Sequence, residues 1–96
     1  MVEHAEIQLN RERDRFEAPA GGSTAVLQFR RVDDETLDFT STRVPPEARG
    51  KGIAGKLVRH ALDWARDEGY RVVPSCSYVA SWIGKHPEYE GMVAER

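Results

Sequence analysis

One glycine-containing turn constrains this chain more than any other feature. Residues 44–54 read V-P-P-E-A-R-G-K-G-I-A, in which Arg49, Gly52 and Ala54 fit the pattern Arg/Gln-x-x-Gly-x-Gly/Ala. An extended apolar stretch precedes the turn and a strongly amphipathic segment follows it, which predicts a strand, a turn and a helix N-terminus. Such a turn leaves backbone N–H groups unpaired at the positive end of the helix, and its glycines let phosphate oxygens approach the backbone. The turn is therefore suited to bind a diphosphate.

The residues before the turn predict an antiparallel meander of three or four strands. β-Branched and aromatic residues mark the third segment, and the fourth alternates with Leu37 and Phe39 on one face. Charged or glycine-rich turns at residues 10–14, 20–23 and 33–35 separate the segments. The predicted strands are residues 5–9, 15–18, 24–32 and 36–44.

After the turn, the apolar residues recur with the period of a helix. The predicted helix runs from about Gly52 to Glu68, and Gly69 is a natural C-terminal stop. Arg71–Pro74 reads as a short buried strand, so the order strand, helix, strand predicts a parallel βαβ crossover. The apolar stripe of the helix consists of Ile53, Leu57, Val58, Ala61, Leu62 and Ala65.

The last part of the chain predicts a second, shorter helix at residues 78–85, with Ser77 as an alternative first residue. His86 and Pro87 end this helix, because the residue before a proline is disfavoured in the helical conformation. We expect the residues after Tyr89 to be loose.

Size and charge restrict the classes of function. The chain has 96 residues and a net charge of −2, which predicts a single domain over residues 1–96 and disfavours bulk binding to nucleic acid or an anionic membrane. No apolar run approaches the roughly 20 residues that cross a bilayer. The first residues, M-V-E-H-A-E, lack a basic segment followed by an apolar core. We therefore expect a cytoplasmic protein with no signal peptide.

Cysteine and histidine usage predicts no metal site. Cys76 is the single cysteine, so neither an internal disulfide nor a thiolate cluster is available. His4, His60 and His86 lack metal-ligand spacing.

Three blocks occur in a fixed order: the glycine turn, then P-S-C-S-Y-V, then H-P-E-Y. With the meander, the helix and the last strand, they resemble the GNAT family of acetyl-CoA-dependent N-acetyltransferases over residues 24–89, and more narrowly its minimal YjdJ-type subgroup. The resemblance implies an α/β (α+β) fold. In it, an antiparallel β-meander is followed by a βαβ crossover, a V-shaped splay separates the two parallel strands, and a short helix lies near the C-terminus.

The resemblance also implies where acetyl-CoA binds, with no metal taking part. The end of the central strand, at Thr42, Arg43 and Val44, pairs through its backbone with the pantetheine arm in a slot that faces residues 75–76. A strand amide near Arg43 or Val44 bonds the thioester carbonyl and acts as an oxyanion donor. The backbone amides that hold the CoA diphosphate belong to Arg49, Gly50, Lys51, Gly52, Ile53 and Ala54.

Two departures from the family remove its usual acid–base groups. Larger members carry an Asn-x-x-Ala-x-x-x-Tyr segment whose tyrosine protonates the CoA thiolate, but here Ser77 and Ala80 are followed by Gly84 at the tyrosine position. The subgroup's Thr-His-Thr is replaced by T-S-T at residues 40–42. No residues correspond to the two helices that cover the acceptor side in larger members, so we expect an open acceptor groove.

Cys76 is the candidate catalytic residue, because it borders the predicted slot near a helix N-terminus. Two roles are open, a general acid toward the CoA thiolate or a nucleophile that carries the acetyl group. The alternative is a small buried apolar residue. Asp38 and Ser41 are candidates to orient a water that takes the amine proton, with ordinary strand residues as the alternative.

The basic residues near the turn suit a polyanion. Lys51, Lys56 or Arg59 would fit the 3′-phosphate of CoA, and a solvated helix face is the alternative. In the subgroup, the block that begins at His86 lies near the nucleotide end of CoA.

The predicted function is an N-acetyltransferase that moves an acetyl group from acetyl-CoA to a primary amine of a protein or small molecule. One alternative is a catalytically weak or inactive regulatory module that binds acetyl-CoA or CoA. Another is a helper that binds a protein or nucleic acid and whose diphosphate site is vestigial. An uncovered apolar sheet face would favour a dimer, and a monomer is equally compatible, so we expect a monomer or weak homodimer.

Overall fold

A five-stranded sheet is the frame of the structure, a computed structural model that describes residues 7–20, 22–50 and 52–94. The strands lie side by side in chain order. The first four are antiparallel neighbours, and the fifth is parallel to the fourth. They are β1 (Gln8–Asn10), β2 (Arg15–Ala20), β3 (Ser23–Asp33), β4 (Thr36–Arg43) and β5 (Arg71–Val73).

Two helices accompany the sheet. Helix α1 (Ile53–Asp67) connects β4 to the parallel β5, and α2 (Ser77–Gly84) follows β5. Short 3-10 helices occur at Pro46–Ala48, before α1, and at Pro87–Met92, after α2. No helix in the described ranges is long and apolar enough to cross a membrane.

Helix α1 covers one face of the sheet with its apolar stripe. Five stripe residues are buried, and Ile53, at the first turn, is partly exposed. Aromatic rings fill the space between helix and sheet, with Trp64 packed against Phe16 and Phe29 at centroid distances of 5.6 and 6.1 Å. The meander, the crossover and the helical stripe predicted from the sequence are therefore confirmed.

The opposite face of the sheet is polar. Strand side chains alternate between faces, and those that point away from α1 include Glu17, Gln28, Arg30 and Ser41. Among the described residues, the large exposed hydrophobic side chains are Val32 and Tyr78 alone. In the described residues, the face of the sheet opposite α1 is therefore not the uncovered apolar face that would favour a dimer.

The two parallel strands diverge shortly after they meet. Ladder pairing of β4 with β5 ends at Asp38 opposite Val73. One further bond, from the Cys76 N–H to the Phe39 carbonyl at 2.8 Å, joins the segments beyond it. On the other side of β4, Gln28 pairs with Ser41 and Phe29 with Phe39, so Thr40 is an extra residue in a β-bulge. The β4–β5 ladder therefore ends next to the bulge, which agrees with the expected V-shaped splay of these strands.

Several boundaries differ from the predicted ones. The pairing of Ala20 with Ser23 narrows the predicted four-residue turn to two residues, of which Gly21 lies outside the described residues. β1 is Gln8–Asn10 rather than residues 5–9, of which 5 and 6 lie outside the described residues.

The expectation of a loose segment after Tyr89 is wrong for the described residues. Val93 forms a parallel bridge with Val72, and the Ala94 N–H donates to the Val72 carbonyl at 2.8 Å. The chain returns to β5 because that edge strand otherwise presents unpaired backbone groups.

Candidate functional site

The turn between β4 and α1 has the backbone geometry of an anion cradle. Gly50 and Gly52 have φ angles of 85° and 78°, the left-handed region that glycine adopts without a steric penalty. A Cβ built at either glycine meets no heavy atom within 4 Å, so the space above both is open. Arg49 stabilises the turn, since its Nε donates to the Val44 carbonyl at 3.1 Å.

The first turn of α1 adds donors to this cradle. A helical bond runs from the Lys56 N–H to the Gly52 carbonyl at 3.1 Å. The N–H groups of Ile53 and Ala54 precede it, and first-turn N–H groups have no acceptor within their own helix. The partial positive charge of the helix N-terminus therefore faces the same space as the two glycines.

A cavity of about 550 Å³ lies over this turn and the end of β4. It brings together eight of the predicted cofactor-binding residues, while Lys51 lies outside the described residues. The eight are Thr42, Arg43, Val44, Arg49, Gly50, Gly52, Ile53 and Ala54. We call this cavity the β4–α1 cavity.

Tyr78 also lines the β4–α1 cavity, and the sequence analysis missed it. It stands in the first turn of α2, and its hydroxyl lies 3.7 Å from a Cβ built at Gly55. The resemblance directed attention to Gly84, where larger relatives place a tyrosine. The sequence could have indicated Tyr78, because it lies only two residues after Cys76, which borders the predicted slot.

Cys76 is buried beside the cavity rather than in its wall. It is the N-cap residue of α2, and its Sγ lies 3.4 Å from the Thr42 hydroxyl. Thr42 does line the cavity. A proton can therefore pass between Cys76 and the cavity through the hydroxyl of Thr42, whereas a direct nucleophilic attack needs the thiol to become exposed.

A second cavity of about 520 Å³ lies along the outer side of α1, and Gly52 borders both cavities. We call it the α1–α2 cavity. Lys56 and Arg59 supply positive charge to its wall, and Trp82 and His86 of the α2 region form its opposite side.

Hydrogen bonds and stacking hold the side chains of the α1–α2 cavity. Arg59 lies over the Trp82 ring at 5.2 Å and donates to the Tyr89 hydroxyl at 3.1 Å. That hydroxyl donates to Asp63 at 2.7 Å. The pKa of Tyr89 is raised mainly by burial and also by this hydrogen bond. The His86 ring stacks on Trp82 at 3.7 Å.

The tautomer of His86 follows from its hydrogen bond. Its Nδ1 lies 2.7 Å from the Trp82 carbonyl oxygen, which can only accept. Nδ1 therefore carries a hydrogen and donates it to this carbonyl.

Within residues 7–20, 22–50 and 52–94, no group of three or more His, Cys, Asp or Glu side chains is arranged to hold a metal ion.

Comparison with known proteins agrees with this geometry. A family model described as GCN5-related N-acetyl-transferase matches residues 15–92. Protein NATD1 of Xenopus tropicalis is 30% identical over 83 residues, covering 84% of this chain and 76% of the relative. Protein NATD1 of Bos taurus is 31% identical over 83 residues, covering 84% of this chain and 74% of the relative.

A solved structure shares the fold. The NMR solution structure of a GCN5-like protein from Staphylococcus aureus superimposes with a TM-score of 0.75, covering 99% of this chain and 93% of that chain. The two sequences are 22% identical, so this likeness concerns the fold alone.

Proposed function

This chain belongs to the GCN5-related N-acetyl-transferase family, and from that premise we propose that it moves an acetyl group from acetyl-CoA to a primary amine. The observation that carries the proposal is the β4–α1 cavity. It joins the diverging end of a strand, two left-handed glycines and a helix N-terminus in one space. Each of these features suits a different part of a long diphosphate-containing thioester.

The residues of the cavity fit CoA. The diphosphate would lie over Gly50 and Gly52, where the space above the backbone is open and the N–H groups of Ile53 and Ala54 are unpaired in the helix. The edge of β4 beyond Phe39 is not laddered to β5, so its backbone can pair with the amides of the pantetheine arm.

The α1–α2 cavity suits the nucleotide end of the same ligand. It begins at Gly52, where the diphosphate would end, and Lys56 and Arg59 offer charge to a 3′-phosphate. The ring of His86, which stacks on the buried indole of Trp82, offers apolar and stacking surface to a base.

Bound acetyl-CoA would supply the activated acyl group. The protein's part is to position the two reactants and to stabilise the negative charge that develops on the carbonyl oxygen, through an N–H near Arg43 or Val44. We assign Cys76 the role of general acid through Thr42, because the thiol is buried and the hydroxyl is 3.4 Å away. The net reaction converts the ammonium to an amide, and releases CoA and one proton.

We further propose membership of the minimal YjdJ-type subgroup and a cytoplasmic location. The acceptor is an amine of a protein or small molecule, and neither nucleic acid nor membrane is a partner.

A catalytically weak or inactive CoA-binding module is the second candidate. The observations that favour it are the glycine at position 84, the absence of histidine at residues 40–42 and the burial of Cys76.

One assay separates these candidates. The purified protein is titrated with acetyl-CoA by calorimetry and then incubated with acetyl-CoA and a mixture of primary amines, and acetylated products are detected by mass spectrometry. The proposal predicts saturable binding and at least one acetylated amine above the uncatalysed background. Binding without any product favours the CoA-binding module, and no binding contradicts both candidates.

A further inference from the structure

Three hydrogen-bond donors converge on Gly55, in the first turn of α1. A Cβ built at this glycine lies 3.5 Å from Nε1 of Trp82 and 3.7 Å from the Tyr78 hydroxyl. The third donor is the Gly55 N–H, because the bond from Lys56 to Gly52 is the first of the helix and leaves the earlier N–H groups without a helical acceptor. Two side chains of α2 therefore add their donors to those of the α1 backbone.

Neither side-chain donor has a partner in the part of the chain that the structure describes. The hydrogen bonds of this region join Tyr89 to its two neighbours on α1 and the His86 ring to a main-chain carbonyl. Among the described residues, none involves the Trp82 indole N–H or the Tyr78 hydroxyl.

The Trp82 indole is held with its N–H edge toward α1. The residue is 8% exposed, and His86 stacks on its ring at 3.7 Å, while Arg59 and Tyr89 each lie 5.2 Å from it. The indole atom nearest to the Cβ position of Gly55 is Nε1, with Cδ1 farther away at 4.0 Å. A buried N–H without an acceptor is destabilising, so a ligand that accepts this hydrogen bond would relieve the penalty.

The charge around Gly55 favours an anion as that ligand. The donors lie at the positive end of α1, and Lys56 and Arg59 line the adjoining wall of the α1–α2 cavity. The carboxylate that lines this cavity, Asp63, lies eight residues farther along the helix, roughly 12 Å away at the rise of an α-helix. It is already paired with the Tyr89 hydroxyl and with Arg66.

Gly55 also stands where the two cavities meet. Gly52 borders both of them, Tyr78 lines the β4–α1 cavity and Trp82 lines the α1–α2 cavity. A ligand that extends from one cavity into the other passes between Gly55 and these two side chains. With the diphosphate over Gly50 and Gly52, the phosphate nearer to the nucleotide is the part that reaches this passage.

We propose that Trp82 and Tyr78 are phosphate-binding residues, whose indole N–H and phenol O–H donate to the nucleotide-side phosphate of the diphosphate over Gly55. The inference rests on the proposed function, since it names side chains that hold that reaction's cofactor. A side chain at position 55 would lie between the donors and the phosphate, so glycine is required there for binding rather than for folding. The bound phosphate bridges α1 and α2.

Gly55→Ala tests the site with little disturbance of the fold. The added methyl makes ordinary contacts at 3.5 and 3.7 Å but covers both donors. The melting temperature should equal or exceed that of the wild type, because alanine favours a helix more than glycine does. The CoA affinity measured by calorimetry should fall about tenfold, as expected when hydrogen bonds to a charged group are lost.

Gly84→Ala is the matched control, since Gly84 also lies in a helix and a Cβ built there meets no atom within 4 Å. It should leave the CoA affinity within about twofold of the wild type. An unchanged affinity for Gly55→Ala would overturn the assignment. A fall in melting temperature for Gly55→Ala that Gly84→Ala does not share would also overturn it, because the loss of affinity would then follow from disturbed packing.

The two donors can also be removed one at a time. Tyr78→Phe and Trp82→Phe should each weaken CoA binding by about tenfold. Dephospho-CoA should lose affinity by the same factor, because it retains the diphosphate. Tyr70→Phe and Trp64→Phe remove the same groups from residues that line neither of the two cavities and should leave both affinities unchanged. Losses confined to CoA would assign the donors to the 3′-phosphate and overturn their placement on the diphosphate.

NMR observes the indole N–H directly. The chain has two tryptophans, so two indole N–H signals are expected, and the Trp64→Phe and Trp82→Phe variants assign them. Saturating CoA should move the Trp82 signal downfield and leave the Trp64 signal in place. Inorganic pyrophosphate should produce the same shift at higher concentration, whereas pantetheine, which has no phosphate, should not.

The same titrations distinguish this inference from the proposed function. Saturable CoA binding with an unmoved Trp82 indole signal would overturn the role of the α2 donors and leave the proposed function intact. A Trp82 shift with pyrophosphate but no binding of CoA would retain the phosphate site and contradict the proposed function.

Discussion

The two ends of α1 are both bounded by a left-handed glycine, yet they treat their backbone groups in opposite ways. At the C-terminus, Gly69 has φ 84°, and its N–H donates to Arg66 at 3.1 Å while the Tyr70 N–H donates to Ala65 at 2.8 Å. These two bonds satisfy the last carbonyls of the helix, as a Schellman motif does. At the N-terminus, Gly52 has φ 78°, and the first-turn N–H groups face a cavity instead. One glycine completes the fold, and the other leaves a site open.

The largest expected effect is on stability, and it comes from a substitution in the middle of α1. The packing of this part of the helix against the sheet holds both of its ends in place. Leu62 is fully buried in the core. Leu62→Ala should lower the free energy of unfolding by about 3 kcal/mol, because it removes buried methyl groups and leaves a void. Urea denaturation measures this change. Acetyl-CoA affinity of the folded protein should stay within about twofold, and a much larger loss would mean that the cradle is not an independent feature.

The next largest effect is on the catalytic rate, and it comes from Cys76, which lies beside the cavity at the N-terminal end of α1. Cys76→Ala should lower kcat by about tenfold to a hundredfold while acetyl-CoA affinity is unchanged, because the thiol contacts Thr42 rather than the cavity. Steady-state kinetics and calorimetry on the same preparation measure both quantities. Unchanged kcat would assign Cys76 to packing alone.

Two cations on α1 give a matched pair. Lys56 lines the α1–α2 cavity near the N-terminus, whereas Arg66 lies in the last turn and pairs with Asp63 and Asp67 at 3.3 Å. Lys56→Gln should weaken CoA binding by about 1 kcal/mol and leave dephospho-CoA binding unchanged. Arg66→Gln should leave both affinities unchanged and alter stability by at most about 0.5 kcal/mol. Equal effects of the two changes on CoA would indicate general charge attraction.

The smallest expected effect is a dependence of stability on pH. It arises from Tyr89, which contacts α1 between its two ends. Tyr89 bridges Arg59 and Asp63, and its pKa is raised by burial and by the bond to Asp63. The unfolded chain therefore loses this proton first, so the folded state holds more protons above the ordinary tyrosine pKa of about 10. The contribution of Tyr89 is complete below that pH and is lost as pH rises through the folded value. Thermal melts of Tyr89→Phe should show a shallower decline above pH 10 than the wild type, and parallel declines would contradict the account.

Much of the frame was predictable because its signals are local. The period of the α1 stripe, the turn before it and the short strand after Gly69 each depend on a few consecutive residues, and the crossover follows from their order. The return of Val93 to β5 was missed, because a single bridging residue has no periodicity to detect.

The site was less predictable where it depends on tertiary geometry. The turn and the end of β4 were recognised from sequence, and the structure places their described residues around one cavity. Tyr78 was missed because its approach to Gly55 depends on how α2 packs beside α1. The burial of Asp38, whose Oδ1 has no hydrogen-bond partner among the described residues, was not predicted either, because it depends on how the surrounding elements pack.

The contrast between the two glycines is the most direct test of the account. Gly52→Ala and Gly69→Ala introduce the same Cβ at the same kind of φ, and neither Cβ meets a heavy atom within 4 Å. Both should lower stability by a similar amount, roughly 1 kcal/mol. Calorimetric titration with acetyl-CoA should then show an affinity loss of about tenfold or more for Gly52→Ala and less than about twofold for Gly69→Ala. Equal affinities for the two variants would contradict the claim that the N-terminal end of α1 is the cofactor cradle.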